Sequence, residues 1–142
     1  LLCNTGRTPG KVLRDILNDL EMKQYFDVLC FSDEARMRKP ATEFFTRALS
    51  RLGVRGDESM HVGDNPEADL KGARSAGMQT VHVRLPGKPA AALDLVDHTI
   101  TTISERPAII GKLLTSGARD LHATPPANTP PPMDLGRETR HM

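Results

Sequence analysis

The sequence predicts an α/β fold on a partial parallel sheet. Short apolar runs alternate with amphipathic stretches of helical spacing, which is the pattern of βαβ units. The residues with the most chemical capacity follow apolar runs directly. In open parallel sheets that is the side on which ligands bind.

Leu1 to Cys3 reads as the end of a strand, and Asn4-Thr5-Gly6 as the turn after it. Thr8-Pro9 opens a helix, with Thr8 as N-cap and Pro9 at the first helical position. Val12, Leu13, Ile16, Leu17 and Leu20 recur at helical spacing and give it an apolar face. Val28-Leu29-Cys30-Phe31 is the next strand. Pro40 starts a second helix, with Phe44, Phe45, Ala48, Leu49 and Leu52 towards the core and Gly53 as its left-handed end. Met60-His61-Val62 is a third strand, stopping at Gly63-Asp64. Asn65-Pro66 begins a helix that ends at Gly77, and Gly72, Ala73 and Ala76 are small enough to seat it closely on a sheet. Residues 80–83 form a fourth strand, 98–101 a short edge strand and 106–114 a last helix. Residues 1–115 are thus the expected core. Residues 116–142 hold Pro125-Pro126 and Pro130-Pro131-Pro132 with almost no apolar periodicity, and are expected to be a disordered tail. A Pro-rich docking peptide is the alternative there.

A chain of 142 residues is long enough for one domain and short for two. Its 38% hydrophobic and 26% charged residues fit a soluble globular protein. The net charge of +1 makes no global case for nucleic acid or a membrane surface, and no apolar run approaches a membrane span. No basic-then-apolar leader points to secretion. Cys3 and Cys30 are too few for a disulfide framework, so a reducing cytoplasm is the expected setting. The opening Leu1-Leu2-Cys3-Asn4, apolar and without a cap, reads as a strand entered partway.

The strongest chemical signal is Val62-Gly63-Asp64-Asn65-Pro66-Glu67-Ala68-Asp69. Asp64 leaves a strand and Asp69 lies in the first turn of the next helix. Two carboxylates so spaced can converge on one hard cation, and Mg²⁺ suits oxygen ligands and a phosphate substrate. The plainer reading is that Asn65 and Asp69 cap and complement the helix N-terminus. The second signal is Arg36-Met37-Arg38-Lys39-Pro40. Lys39 immediately before a helix would offer a phosphoryl oxyanion both an ammonium and a helix dipole. The alternative is a solvated basic turn, and Arg36 and Arg38 are read that way. The third is Cys3-Asn4-Thr5-Gly6, which offers polar side chains and backbone N–H groups to an anion, or is an ordinary turn. Asp33-Glu34 is read as a turn, and His61 and His82 as packed or edge residues of strands.

In this order the three signals resemble motifs II, III and IV of the haloacid-dehalogenase superfamily, over roughly residues 1–83. "RKPATEFFTRALSRLGV" followed by "MHVGDNPEADLKGARSAGMQTV" resembles the subfamily whose cap is inserted between motifs I and II. The resemblance implies that Lys39 balances charge on nucleophile and phosphoryl group. It implies Asp64 on Mg²⁺ directly, and Asp69 on the ion or its waters. It places Cys3 where motif II carries Ser or Thr, with Asn4 and Thr5 beside it as phosphate-binding groups. A thiol is a weaker donor than a hydroxyl. Motif I, which supplies the nucleophilic and acid/base aspartates, would lie upstream of motif II.

The family's sheet order is 5-4-1-2-3, so the expected chain is a C-terminal part of the core lacking cap and central first strand. The implied function is a Mg²⁺-dependent hydrolase of a small phosphate monoester acting through an aspartyl-phosphate. The alternatives are a dehalogenase or phosphosugar mutase on the same fold, a non-catalytic binding module, or an inactive fragment. Oligomeric state is not legible in the sequence.

Overall fold

A computed structural model describes residues 1–88, 91–105 and 111 of the chain. The tail expected over 116–142 falls outside them, as does the helix expected over 106–114 apart from Gly111. No helix among the described residues is long and apolar enough to cross a membrane.

The described strands form two parallel sheets. In the first, β1 (Leu2–Cys3) pairs with β2 (Cys30–Phe31), Leu2 opposite Cys30 and Cys3 opposite Phe31. In the second, β3 (Met60–Gly63), β4 (Gln79–Val83) and β5 (His98–Ile100) lie in that order. Met60 stands opposite Gln79, and Val81 opposite His98. β1 and β3 do not pair, so the sheet is divided where the resemblance places the central strand. The second sheet has its own small core of Val81, Val83 and Ile100, with Met60 and Val62 packed against it.

Helix α1 (Gly10–Asp19) begins later than the sequence suggests, and Thr8 does not cap it. The cap is tertiary: the Gly10 N–H donates to Asp33 Oδ2 at 2.9 Å. Gly10 must be small, because a Cβ there would stand 2.6 Å from Phe31 Cβ. Asp33 and Glu34 are therefore not a plain turn but part of a one-turn helix, α2 (Ser32–Ala35). The apolar face of α1 exists but is poorly covered, with Val12 43%, Ile16 45% and Leu20 61% exposed.

Helix α3 spans Thr42–Leu52, so Pro40 does not start it. The Lys39–Pro40 peptide is cis and lies in a turn closed by Ala41 N–H to the Arg38 carbonyl, 2.9 Å. The Asn4 side chain takes both main-chain groups of Lys39, accepting from its N–H at 2.8 Å and donating to its carbonyl at 3.0 Å. Those two groups are thereby withheld from a helix. Phe44, Phe45 and Leu49 of α3 are buried as expected, whereas Leu52 is exposed. Gly53 ends the helix at φ 70°.

The segment after β3 is a wide, π-helical turn, Pro66–Leu70, running into α4 (Lys71–Ser75). Gly72 is the close-approach residue of α4, but it faces α3 rather than the sheet. A Cβ there would collide with the Phe45 ring and the Pro40 carbonyl.

Candidate active site

The site forms between β1 of one sheet and the turn after β3 of the other. Lys39 Nζ lies 2.6 Å from Asp69 Oδ1 and donates to the Leu2 carbonyl at 3.0 Å. It therefore reaches from β1 of one sheet to the helical turn after β3 of the other. Both side chains are nearly buried, at 13% and 8% exposed. Such a pair tolerates loss of one partner poorly, because the survivor is left charged and unpaired.

Local sequence explains where Asp69 stands. The Asn65 side chain accepts the Ala68 N–H at 2.9 Å and caps the turn. The Asp69 N–H donates to the Asn65 carbonyl at 2.8 Å, and Asp69 Oδ2 accepts the Asn65 N–H at 3.0 Å. This folds the carboxylate back over the end of β3. A Cβ at Gly63 would collide with the Asp69 carboxylate, so the glycine before Asp64 is required by Asp69. Wide helical turns of this kind recur at functional sites.

Burial acts to raise the Asp69 pKa. The His61 ring, the Lys39 ammonium and the Asn65 N–H outweigh it and hold the carboxyl well below the usual carboxylate range. Asp69 is thus an anion at neutral pH.

His61 is the site residue that strand pattern alone does not reveal. Its Nε2 lies 3.5 Å from Asp69 Oδ1, without a made hydrogen bond, and its ring meets Phe45 edge-on with centroids 5.1 Å apart. The packed-residue reading holds for the Phe45 contact and misses the carboxylate. The available signal was alternation: His61 and Gly63 share a strand face, the one that Asp69 crosses.

The motif after β1 is used differently from its simplest reading. Cys3 is a free, half-buried thiol. Asn4 grips the main chain of Lys39, as described above. The Thr5 N–H donates to Ser32 Oγ at 2.8 Å, and the Thr5 hydroxyl donates to Asp33 Oδ1 at 2.9 Å. Thr5 thereby fixes the loop between β1 and α1 against α2. The Asp33 carboxyl is held below its ordinary pKa, chiefly by the Gly10 N–H.

Asp64 stands exposed at the end of β3, on the wall of a cavity shared with Asn65, Pro66 and Glu67. Among the described residues no three His, Cys, Asp or Glu side chains group to hold a metal ion. The donor set from this chain is an exposed carboxylate, Asp64, near a second, Asp69, that is turned towards Lys39. Mg²⁺ uses one or two protein carboxylates and keeps several waters, so that sparse oxygen set fits it better than a cation needing a full protein cage.

The profile of one family, described as haloacid dehalogenase-like hydrolase, matches residues 5–83, more than half of the 142. A glyceraldehyde 3-phosphate phosphatase of Methanocaldococcus jannaschii is 35% identical over 96 residues, covering 66% of this chain and 42% of the relative. A ribulose-1,5-bisphosphate 5-phosphatase of Halopiger xanaduensis is 35% identical over 97 residues, covering 63% of this chain and 41% of the relative. The crystal structure of a HAD phosphatase from Thermococcus onnurineus superposes with a TM-score of 0.64 at 33% identity, covering 71% of this chain and 46% of that one. The chain spans under half the length of these relatives. With a divided parallel sheet, a Lys–Asp pair across the division and an acidic loop after β3, the chain belongs to the haloacid dehalogenase-like hydrolases.

Proposed function

We propose that this chain supplies the charge-stabilising part of a Mg²⁺-dependent phosphatase that hydrolyses a small phosphate monoester. The observation that carries the proposal is the nearly buried Lys39–Asp69 pair, 2.6 Å apart between β1 and the turn after β3. The matched relatives named above act on phosphorylated small molecules, which supports the substrate class.

In this reading the Lys39 ammonium faces the phosphoryl oxygens and offsets their charge in the transition state. Asp69 holds the ammonium in place. Asn4 fixes the Lys39 main chain, so Asn4 is a positioning residue more than a phosphate ligand. Cys3 and the backbone around Asn4 border the phosphate position. Thr5 acts through the loop it ties to Ser32 and Asp33. Asp64 is the direct ligand for Mg²⁺, which supplies Lewis-acid stabilisation of phosphoryl oxygens when bound. The nucleophilic carboxylate and the acid/base belong to the part of the relatives that this chain does not span.

Hydrolysis of p-nitrophenyl phosphate by the whole protein, titrated with Mg²⁺, tests the reading. Lys39→Met should lower kcat about 100-fold or more and change KM little, because the charge matters most in the transition state. Asp64→Asn should shift the Mg²⁺ requirement strongly upward. Activity within a few-fold of wild type in Lys39→Met, with an unaltered Mg²⁺ titration in Asp64→Asn, would return both residues to a structural role.

A further inference from the structure

The loop after β4 brings a cation to the same cavity that Asp64 borders. Leu85-Pro86-Gly87-Lys88 is a tight turn, with Lys88 N–H donating to the Leu85 carbonyl at 3.2 Å and Gly87 at φ 73°. Proline then glycine at the two central positions is the sequence such a turn requires. After the turn, Lys88 lines one cavity together with Asp64, Asn65, Pro66 and Glu67, and Ala92 and Leu95 complete the wall. The cavity is about 530 Å³, within the range of small-molecule sites.

Charge accounting singles out Lys88. Glu67 is matched by Lys71, 3.2 Å away on the next helical turn. Asp64 is matched by the cation in the function proposed above. Lys88, exposed on the cavity wall, is then its one cation without an ion-pair partner among the described residues.

We infer that Lys88 binds a second anionic group, a carboxylate or a second phosphate, on the leaving-group side of the substrate. The inference rests on the phosphatase reading for the position of the scissile phosphate. It makes the substrate class a phosphate ester of a small, acidic alcohol, with Lys88 as the residue that selects it.

The test compares three esters with the whole protein: ethyl phosphate, phosphoglycolate and ethylene glycol bisphosphate. The second adds a carboxylate and the third a second phosphate, so the two arms separate the possible anionic groups. Wild type should prefer at least one doubly anionic ester over ethyl phosphate. Lys88→Met should reduce that preference about tenfold, the scale of one charge-assisted hydrogen bond, and Lys88→Glu should reduce it further. A preference unchanged in both variants, or a wild type with no preference, overturns the inference. If wild type hydrolyses none of the esters with Mg²⁺, the phosphatase reading falls. Calorimetric titration with phosphonoacetate, which cannot be hydrolysed, then still decides on Lys88. Binding weakened about tenfold by Lys88→Met supports its role, and equal binding or none in wild type removes it.

Discussion

The two halves of the chain reach very different degrees of closure. The second half carries three parallel strands over a small core of its own. Its buried Thr80 is fully engaged: the N–H donates to Asp97 Oδ2 at 2.8 Å, the hydroxyl donates to the Leu95 carbonyl at 2.7 Å, and Arg74 Nη1 braces Asp97 at 2.7 Å. The first half has two strands of two residues each, and a helix with Val12, Ile16 and Leu20 more than two-fifths exposed. A two-stranded pair is marginal unless packed further. The difference teaches that the site is a seam. Lys39 comes from the half with the two-residue strands and Asp69 from the half with the three-stranded sheet, and that pair spans the division between them.

Isolation of the chain should expose this contrast most strongly. Residues 1–142 produced alone should lack a sharp cooperative thermal transition and should not hydrolyse phosphate esters with Mg²⁺. Unpaired backbone groups at a buried edge cost about 1–3 kcal/mol each, against a total stability of only about 5–15 kcal/mol. Amide hydrogen exchange should show what protection survives in β3, β4 and β5, with β1 and β2 exchanging freely. Uniform protection through both halves would abolish the distinction.

A smaller effect should come from the β3 side of the seam. Gly63→Ala in the whole protein places a methyl against the Asp69 carboxylate and should cost about 1–3 kcal/mol by overpacking. It should also reduce activity more than an alanine substitution on the exposed face of α4. Chemical denaturation and kcat measure the two parts, and a variant with wild-type stability would show that Asp69 is not held over Gly63.

The smallest effect is on pH dependence. The Asp69 carboxyl is depressed below its ordinary value of 3.8 in the folded state. The stability it contributes is therefore complete above that value and is lost as pH falls towards the folded-state pKa. Wild type should lose melting temperature more steeply than Asp69→Asn as pH is lowered from about 5 to about 2, the range below the ordinary carboxyl pKa. Parallel pH profiles would mean the pair contributes no linkage.

Much of this was legible in the sequence because it is local. Strand, turn and helix signals fix the positions of Asp64 and Asp69, and their spacing with Lys39 carries the family resemblance. What was not legible depends on contacts distant along the chain. The start of α3 is set by Asn4 gripping Lys39, 35 positions away, and not by Pro40. The start of α1 is set by Asp33 and not by Thr8, a contact between residues 23 apart. The small face of α4 is easily seen, yet only packing reveals that Gly72 serves Phe45 of α3. Periodicity likewise gives α1 an apolar face without saying what covers it.

The central claim is that Lys39 and Asp69 act as one unit joining the two halves. A double-mutant cycle on unfolding free energy in the whole protein, with Lys39→Met, Asp69→Asn and the double variant, tests it directly. Each single variant should cost about 3–5 kcal/mol, because each leaves a buried group without its partner. The double variant should cost little more than either single one, a coupling of about 2 kcal/mol or more. Costs that add to within about 0.5 kcal/mol would show two independent residues and contradict the account.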